Sequence, residues 1–402
     1  MALLSVADAL ARVLDGAAPL PAESVPLNQA EGRVLAEDLA ARRTQPPQDV
    51  SAMDGYAVCG ADVAHAPVGL RVVGEVAAGR PFDRPVRSSE AARIFTGGVL
   101  PEGADTVVIQ EHTTRDGERV VVDKPTPTGK NVRAKGLDFR AGTVLLRKGR
   151  RLTGRDLALA AAMNHPAVPV HRRPKIAIVA TGDELVPPGT EPAPGQIVYS
   201  NVFALAAIVQ REGATAIDLG ILPDRLEETI AGVRRARAAG ADVLVTVGGA
   251  SVGEYDLVQP ALAAEGLALS FWRVAMRPGK PLLSGTLGAM RVLGLPGNPV
   301  SAYVCSVLYL VPLIRRLLGR EDVAPTTESA ALGRALPAND ERADYLRATL
   351  TRAGGTWVAT PFPVQDSSML TPLASADCLV IRAPFAPPAE AGAICSIVKL
   401  QD

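Results

Sequence analysis

Residues 175–318 alternate short apolar runs with amphipathic stretches, and this alternation leaves few folds open to the chain. The runs at 176–180, 215–219 and 243–247 are rich in β-branched residues, as expected of strands buried on both faces. Helical patterns lie at 202–212, 226–239, 257–264 and 300–318, and shorter strand candidates lie at 282–284 and 291–295. Strands and helices that alternate at this spacing predict a mostly parallel sheet with helices on its faces.

The strand predicted at 243–247 runs into a glycine-rich turn, Gly-Gly-Ala-Ser-Val-Gly-Glu-Tyr-Asp, at residues 248–256. Glycine lets the backbone approach a ligand closely and aim its N–H groups at an anion. The carboxylates of Glu254 and Asp256 follow, where a cation accompanying that anion could be held. Open α/β sheets bind ligands at such strand ends, so we expect a binding site here. Taken alone, the turn is also compatible with a plain strand-to-helix connection.

Two further strands of the same region end in polar loops. Residues 176–180 lead into Thr181-Gly182-Asp183-Glu184-Leu185, and residues 291–295 lead into Pro296-Gly297-Asn298-Pro299. Asp224 follows the strand that ends near residue 219. The carboxyl ends of parallel strands meet at one edge of a sheet, so these loops are expected to share one site with the glycine turn. Each loop could also be a turn or a helix cap, and for Asp224 alone that interpretation is favoured.

The loop Arg277-Pro278-Gly279-Lys280-Pro281 places two cations three residues apart on a stiff backbone. Proline restricts the backbone and glycine permits close approach, so both charges are held in place. A fixed Arg and Lys beside anion-binding amides suit phosphate or another oxyanion. A solvated surface turn is the alternative, and the neighbouring glycine turn weighs against it.

The flanking regions have a different texture. A helix is expected from a capping box at Ser5 and Asp8 to Gly16, with further helices at 28–39 and 153–163. Strand patterns at 70–76, 91–95 and 106–110 predict a β-rich domain over residues 45–128, and those at 347–351, 357–359 and 378–382 predict a β-like tail. Polar candidates in the first half are Asp54, before a glycine, Thr96, at a strand end, and Asp138.

Composition excludes several classes of protein. The chain has 402 residues, enough for several domains, and Lys plus Arg balance Asp plus Glu at 42 each. No overall charge therefore selects nucleic acid or an anionic membrane, and any anionic ligand needs a local site. The four cysteines (Cys59, Cys305, Cys378 and Cys395) are too scattered for a paired metal site and fit unpaired thiols in a reducing compartment. Without a secretory signal or a long enough apolar span, we expect a cytoplasmic protein with a buried helix at 300–314.

Five motifs occur in order along the chain: Ser-Ala-Met-Asp-Gly-Tyr-Ala-Val (51–58), Thr-Gly-Asp-Glu-Leu (181–185), the glycine turn (248–256), Met-Arg-Pro-Gly-Lys-Pro (276–281) and Pro-Gly-Asn-Pro-Val-Ser (296–301). Together they resemble the molybdopterin molybdenumtransferase family, the MoeA-type enzymes related to the E domain of gephyrin. The match runs from Asp54 into the C-terminal region and so covers nearly the whole chain.

The resemblance implies a multidomain α/β protein that inserts molybdate into adenylylated molybdopterin, with Mg²⁺-assisted release of AMP. Residues 1–44 and 129–170 would form an elongated connecting domain, and residues 45–128 an inserted β-rich domain. Residues 171–320 would form the molybdopterin-binding α/β domain, and residues 321–402 a β-barrel-like C-terminal domain. It also implies a homodimer with its active site at the subunit interface, and a transient contact with the adenylyltransferase that makes the substrate.

By matching position, the resemblance assigns catalytic roles to Asp54, Asp138, Glu184, Asp224, Asp256 and Lys280. Substrate and phosphate binding would fall to Thr96, Thr181, Gly248, Gly249, Ser251, Gly253, Pro296, Gly297 and Asn298. Molybdate binding would fall to Arg277, Lys280, Ser301, Arg347 and Ser368, with Ser367 as the alternative tail hydroxyl. Asp256, Glu184 and Asp224 would hold Mg²⁺. Arg277 stands where the family commonly has Lys, so a planar guanidinium with several N–H donors replaces a single ammonium group.

Two other functions compete with molybdate insertion. A molybdopterin adenylyltransferase shares the α/β domain, but it has no need of the β-rich and tail domains. A non-catalytic molybdopterin-binding scaffold has no need of the acidic set (Asp54, Asp138, Glu184, Asp224 and Asp256). Tungstate insertion stays open, because tungstate has nearly the same shape and charge as molybdate.

Overall fold

The chain begins with an amphipathic helix. The computed structural model of the protein describes residues 3–249 and 257–400. Its first elements are α1 (Val6–Leu14), β1 (Ala22–Pro26) and β2 (Leu39–Ala40). The hydroxyl of Ser5 accepts a hydrogen bond from the backbone N–H of Asp8 at 3.1 Å and donates to the Asp8 carboxylate at 2.7 Å. The predicted helix start is confirmed, because this pair caps the first turn.

The helix predicted at 28–39 is wrong. A 3₁₀ turn (Leu27–Gln29) is followed by extended backbone that pairs with later segments, Val34 with Arg151 and Leu35 with Val170. Ala30, Val34, Leu35 and Leu39 are all buried, at the spacing of a helix face. The backbone N–H and C=O groups pair with distant segments and not with each other as in a helix. The spacing of apolar residues does not reveal such pairing.

The next segment builds a mixed β-sheet. Its strands are β3 (Val50–Ser51), β4 (Gly55–Val58), β5 (Val68–Val76), β6 (Glu90–Ile94), β7 (Thr106–Ile109), β8 (Thr113–Asp116), β9 (Arg119–Val122) and β10 (Val132–Arg133). Six of these described strands pair in the order β7-β4-β6-β5-β9-β8, and β3 pairs with β10. Tyr56 and Val58 face one apolar core while Ala57 between them faces another, because strand side chains alternate. The predicted strands at 70–76, 91–95 and 106–110 are confirmed.

The chain then returns to its N-terminal segment with β11 (Val144–Leu146), α2 (Gly154–Ala162) and β12 (Ala167–His171). β12 pairs with β1, and β11 pairs with β2. Leu35, Leu146 and Met163 lie in one core, which combines residues that precede the β-rich sheet in the sequence with residues that follow it. Thr153 and Asp156 form the capping box of α2, as predicted.

The central region holds the predicted alternation of strands and helices. Its elements are β13 (Lys175–Thr181), β14 (Leu185–Val186), β15 (Ile197–Val198), α3 (Asn201–Arg211), β16 (Thr215–Leu222), α4 (Leu226–Ala238), β17 (Val243–Val247), α5 (Val258–Ala264), β18 (Ala268–Trp272), β19 (Met276–Arg277), β20 (Leu283–Leu287), β21 (Met290–Leu295), α6 (Pro299–Cys305) and α7 (Val311–Leu317). Six described strands pair in the order β16-β13-β17-β21-β20-β18. The first four are parallel and the last two antiparallel, so the mostly parallel sheet is confirmed. All five residues of β17 are buried at its centre.

One long helix passes through the core beside this sheet. α6 and α7 are joined by a π-helical turn, Ser306–Leu310. Pro312 lacks the N–H that a regular helix would donate to residue 308, which accounts for the widened turn. Among the described residues this helix is the one long and apolar enough to span a membrane, with mean hydropathy 1.4, yet 83% of it is buried inside the molecule. The predicted buried helix is confirmed.

The C-terminal region is a closed barrel. Its elements are β22 (Thr327–Leu332), β23 (Ala343–Ala353), β24 (Thr356–Pro361), α8 (Leu370–Ala374), β25 (Cys378–Arg382) and β26 (Ile394–Lys399). The strands pair in the order β23-β24-β22-β26-β25, and β25 pairs back with β23 to close the ring. β19 adds a parallel pairing to β23, and Ala343, Tyr345, Leu379 and Val398 belong to the same core as the central sheet. The barrel is therefore fused to the α/β region.

Candidate functional site

A cavity of about 660 Å³ lies at the carboxyl edge of the central sheet. Four strand ends supply much of its wall: β13 with Thr181 and Glu184, β16 with Asp224, β17 with Gly248 and Gly249, and β21 with Pro296, Gly297 and Asn298. Ser368 reaches the same cavity from the C-terminal barrel. Parallel strands bring their carboxyl ends to one edge, and this places eight of the predicted site residues around one space, with Ser368 as the ninth.

The turn after β17 is built on two glycines with left-handed backbones. Gly248 has φ +91° and Gly249 has φ +59°, and a Cβ on Gly249 would lie 2.5 Å from a methyl group of Val258. The N–H of Gly248 donates to the carbonyl of Leu295 at 3.1 Å. Only glycine therefore lets this turn stay close to the neighbouring strand end. The predicted Ser251, Gly253 and Asp256 lie outside the described residues.

Two acids, Glu184 and Asp224, line the cavity with exposed carboxylates. The loops that carry them are joined, because the N–H of Asp183 donates to the Asp224 carboxylate at 3.4 Å and the N–H of Asp224 donates to the Asp183 carboxylate at 3.1 Å. Within residues 3–249 and 257–400, no group of three acids, histidines or cysteines could enclose a metal ion. Mg²⁺ is usually held by one or two carboxylates plus substrate phosphates, so this pair fits such an ion beside a bound phosphate.

The loop after β21 is fastened on both sides. The side-chain amide of Asn201, at the start of α3, donates to the carbonyl of Gly297 at 2.7 Å. On the other side, the amide of Asn298 donates to the hydroxyl of Ser367 at 2.8 Å, and the N–H of Val300 donates to the Ser367 carbonyl at 3.1 Å. A helix of the α/β region and a loop of the barrel thereby both form hydrogen bonds to the loop that follows β21.

The two tail serines are distinguished by their partners. Ser367 bonds to Asn298, whereas Ser368 lines the cavity and donates from its hydroxyl to the Asp366 carboxylate at 2.7 Å. The hydrogen bonds from Ser368 hold the pKa of Asp366 below its ordinary value. Ser368 is therefore the tail hydroxyl that faces the cavity.

Arg347 is buried beneath this loop and does not line the cavity. Its side chain is 1% exposed and donates to the carbonyls of Asp366 and Met369 at 2.9 Å each and to the side-chain oxygen of Gln365 at 3.3 Å. Burial lowers the pKa of Arg347, and the charge of Asp366 opposes that effect. The arginine holds the loop that carries Ser368, so its donors are directed at protein and not at the cavity.

The two cations of the predicted oxyanion loop differ in their surroundings. Lys280 is exposed, precedes the cavity-lining Pro281, and forms no hydrogen bond or ion pair through its ammonium in the part of the chain that the structure describes. The guanidinium of Arg277 instead bonds to Asp344, Asp340 and Asn339. Ser301 is 5% exposed inside α6 and does not line the cavity. Of the two cations, Lys280 is thus the one left unpaired by the residues that the structure describes.

The candidates of the first half do not line the cavity of their own chain. Asp54 accepts hydrogen bonds from the backbone N–H of Thr96 at 2.7 Å and from its hydroxyl at 2.8 Å. These two bonds, the backbone one foremost, hold the pKa of Asp54 below its ordinary value of 3.8. Asp138 is exposed in a separate loop, where its N–H donates to the carbonyl of Gln45 at 3.0 Å.

Sequence reasoning missed the wall contributed by residues 197–201. Ile197 and Val198 of β15 are 57% and 41% exposed beside the cavity, and Tyr199, Ser200 and Asn201 follow. Tyr199 is buried and donates to the Asp218 carboxylate at 3.3 Å, and its burial raises its pKa. A two-residue strand carries too little periodicity to be recognised, although the polar pair Ser200-Asn201 at the start of α3 was an available signal.

Family models match three stretches of the chain. Residues 4–164 match the MoeA N-terminal region (domains I and II), and residues 177–316 match a probable molybdopterin binding domain. Residues 329–400 match the MoeA C-terminal region (domain IV). The three matches follow one another in the order of the β-rich part, the α/β part and the barrel.

Named relatives extend over most of the chain. A molybdopterin molybdenumtransferase of Nostoc sp. is 44% identical over 307 residues, which is 74% of this chain and 70% of the relative. A molybdopterin molybdenumtransferase of Bacillus subtilis is 35% identical over 367 residues, which is 89% of this chain and 85% of the relative.

A solved structure has the same architecture throughout. The crystal structure of a molybdopterin biosynthesis MoeA protein from Pyrococcus horikoshii superposes with a TM-score of 0.87 at 32% identity, covering 100% of both chains. The relatives, the three family models and the whole-chain superposition agree with the resemblance that the five motifs indicate. The chain belongs to the molybdopterin molybdenumtransferase family.

Proposed function

We propose that this protein inserts molybdate into adenylylated molybdopterin, with Mg²⁺-dependent release of AMP, to give molybdenum-loaded molybdopterin. One observation carries the proposal: the cavity joins the strand-end loops of the α/β region to a barrel loop, and Lys280, which is unpaired among the described residues, precedes the cavity-lining Pro281. Backbone amides suited to phosphate and a cation suited to an oxyanion would thereby share one site, as molybdate insertion coupled to AMP release requires.

The nucleotide phosphates would bind at the glycine turn. Gly248 and Gly249 bring backbone close to the cavity, and the glycine turn continues into Ser251 and Gly253, which were proposed from sequence. Thr181 and Asn298 supply a hydroxyl and an amide from the two flanking strand ends. Cleavage of a phosphoanhydride without a covalent protein intermediate depends on such positioning and on charge neutralisation.

Molybdate would bind at the barrel side of the cavity. It is a tetrahedral dianion, so a free ammonium and a hydroxyl donor suit it. Lys280 is exposed next to the cavity-lining Pro281, and Ser368 lines the cavity with a hydroxyl that would turn from Asp366 to donate to the oxyanion. Ser301 and Arg347 are buried, so they would support this end through α6 and through the Ser368 loop.

Glu184 and Asp224, with Asp256 from the sequence, would hold Mg²⁺ against the substrate phosphates. The bound ion would neutralise charge that develops on the phosphate oxygens. The described carboxylates are exposed at the cavity and supply the hard oxygen ligands that Mg²⁺ prefers.

Asp54, Thr96 and Asp138 would complete the site from a second copy of the chain. In their own chain they do not line the cavity, and yet Asp54 is held ionised by Thr96. A homodimer that presents them to the partner's cavity would satisfy both facts. The substrate would arrive through transient contact with the adenylyltransferase in the cytoplasm, where four free cysteines are stable.

The barrel loop also separates this proposal from its competitors. An adenylyltransferase would need the α/β part of the cavity alone, and Ser368 of the barrel would then be dispensable. A binding scaffold would retain the substrate without turnover.

The decisive measurement is AMP release by the purified protein supplied with adenylylated molybdopterin and Mg²⁺, with molybdate, with tungstate, or with neither. We expect AMP release that depends on molybdate and stops when Mg²⁺ is chelated. Release that is indifferent to the oxyanion, or tight binding with no release, would contradict the proposal. Parallel rates with tungstate would measure selectivity between the two metals.

A further inference from the structure

Arg277 is engaged by three acceptors of the C-terminal barrel. Its Nε and one terminal nitrogen donate to the two carboxylate oxygens of Asp344 at 2.9 and 2.6 Å. Further bonds go to the Asp340 carboxylate at 3.0 Å and the Asn339 side-chain oxygen at 3.3 Å. Four of the five N–H donors of a guanidinium are thereby used. The hydrogen bonds to Asp344 raise the pKa of Arg277, so it stays charged.

The main acceptor, Asp344, is buried on the strand that meets the Arg277 loop. Its residue is 6% exposed, and β19 pairs with β23 so that Arg277 lies opposite Asp344. A buried carboxylate requires a paired charge, because leaving it alone in a low dielectric is costly. The pair therefore fastens β19 to the barrel with a geometry that a lysine could not reproduce.

The Arg277–Asp344 pair is connected to Lys280 through a short, closed loop. The N–H of Val274 donates to the carbonyl of Lys280 at 3.0 Å, which closes residues 274–280 on themselves. Gly279, at φ +106°, packs so closely that a Cβ there would lie 2.5 Å from the sulfur of Cys305. With its base fixed to the barrel and its turn fixed to α6, the loop has little freedom to move the Lys280 backbone.

The same strand also fixes the other end of the oxyanion subsite. Arg347 lies three residues after Asp344 on β23 and holds the carbonyls of Asp366 and Met369, which flank Ser368. β23 thus carries one anchor for the Lys280 loop and one anchor for the Ser368 loop. The strand thereby fixes the backbones of the two loops relative to each other.

We infer that Arg277 and Asp344 form a positioning pair that places Lys280 relative to Ser368, and that Arg277 does not itself bind the oxyanion. The inference rests on the proposed function and deepens it, because it separates the residues that touch molybdate from those that hold them.

The experiment compares Arg277→Gln, Arg277→Lys, Asp344→Asn and the Arg277→Gln/Asp344→Asn double variant by the KM for molybdate in AMP release. A positioning pair predicts that Arg277→Gln and Asp344→Asn both raise this KM, each on the order of tenfold, and that the double variant is no worse than either. Arg277→Lys should also raise it, since one point donor cannot grip both carboxylate oxygens. Arg352→Gln, on β23 but stacked on Trp357 instead, is the matched control and should leave the KM unchanged.

An oxyanion-binding Arg277 predicts different results. Asp344→Asn would then release the guanidinium, and the KM for molybdate would fall or stay unchanged. Arg277→Lys would leave the KM for molybdate unchanged. Either of these results, or an unchanged KM in Arg277→Gln, would overturn the inference. Affinity for adenylylated molybdopterin without molybdate should be the same in all variants, which distinguishes misplacement of Lys280 from general loss of fold.

Thermal unfolding of the wild-type protein, Arg277→Gln, Asp344→Asn and the double variant tests the pair independently of turnover. A coupled pair predicts melting temperatures in which the double variant falls no further than the single ones, whereas additive losses would contradict the pairing. If the wild-type protein shows no molybdate-dependent AMP release, the proposed function fails. The melting cycle would then still decide whether the pair holds the loop.

Discussion

At the scale of single residues, neighbours decide which charged groups are available for chemistry. Arg277 and Lys280 are equivalent cations in the sequence, yet one is bonded to three acceptors and the other is unpaired in the described structure. Ser367 and Ser368 are adjacent, yet one holds Asn298 and the other faces the cavity. Function at this scale depends on which donors the fold has left unused.

Substitution of the unpaired cation should weaken oxyanion binding directly. In Lys280→Ala we expect the KM for molybdate in AMP release to rise roughly ten- to a hundredfold, the loss that accompanies removal of a charged hydrogen bond. The free energy of unfolding should be unchanged, because the side chain is exposed. Lys280→Arg, which keeps the charge, is the control and should retain part of the affinity. An unaltered KM in Lys280→Ala would show that another group neutralises molybdate.

The ionisation of Asp54 should depend on the hydroxyl of Thr96. Two hydrogen bonds from Thr96 hold the pKa of Asp54 below 3.8, so its contribution to stability is present above that value and is lost as pH falls through the folded-state pKa. In Thr96→Val we expect a carbon-detected NMR titration of the carboxyl to move upward toward 3.8, since only the backbone bond remains. Thr96→Ser should keep the low pKa. Identical titrations of Asp54 in the two variants would contradict a role for the hydroxyl.

At the scale of elements, the central sheet was predicted correctly because its sequence pattern, its burial and its strand pairing all favour the same structure. The apolar run of β17 lies between two parallel partners and is buried along its whole length. By contrast, residues 28–39 have a helical apolar spacing and still form extended pairings, because Gly32 at φ +71° interrupts a helix and later segments supply the hydrogen bonds. Long periodic segments predict their structure well, and short ones depend on contacts from far along the chain.

Removal of a core side chain from β17 should be costly. Leu244 is fully buried at the centre of the sheet, and Leu244→Ala should lower the free energy of unfolding by about 2–5 kcal/mol, through lost burial and the cavity left behind. Denaturant titration measures the loss. Leu269→Ala on the edge strand β18, where the side chain is 44% exposed, is the matched control and should cost much less. Equal losses of unfolding free energy in the two variants would contradict a special contribution of Leu244 to the core.

At the scale of the whole molecule, the chain contains two kinds of connection. The α/β region and the barrel share one apolar core, so their relative placement, and with it the cavity, is rigid. The β-rich sheet has cores of its own, separate from that one. The rigid part presents the cavity, and the separate part carries Asp54 and Thr96, which is the arrangement a site shared between two copies would need.

Mixed dimers test that arrangement. Asp54→Asn and Lys280→Ala chains, co-expressed with different tags, purified as mixed dimers and assayed at molybdate well below the KM of Lys280→Ala, should recover about half of the wild-type AMP release. One of the two sites would then combine an intact Lys280 from one chain with an intact Asp54 from the other. Mixed dimers that stay as inactive as the parents would place the whole site within one chain. Wild-type chains carrying both tags control for the effect of the tags.

The sequence by itself determined the α/β alternation, the strand-end loops and the family, because local periodicity and contiguous motifs carry those signals. It also indicated the chemistry of the site, since glycines, acids and cations of suitable kinds lay at predictable strand ends. Only the tertiary structure decided that Arg277 is paired and Lys280 is not, that Ser368 faces the cavity, and that Arg347 is buried beneath its loop. Those distinctions arise from contacts between β19, β23 and the tail loop, whose partners are separated by up to 69 residues along the chain, and no local pattern encodes them.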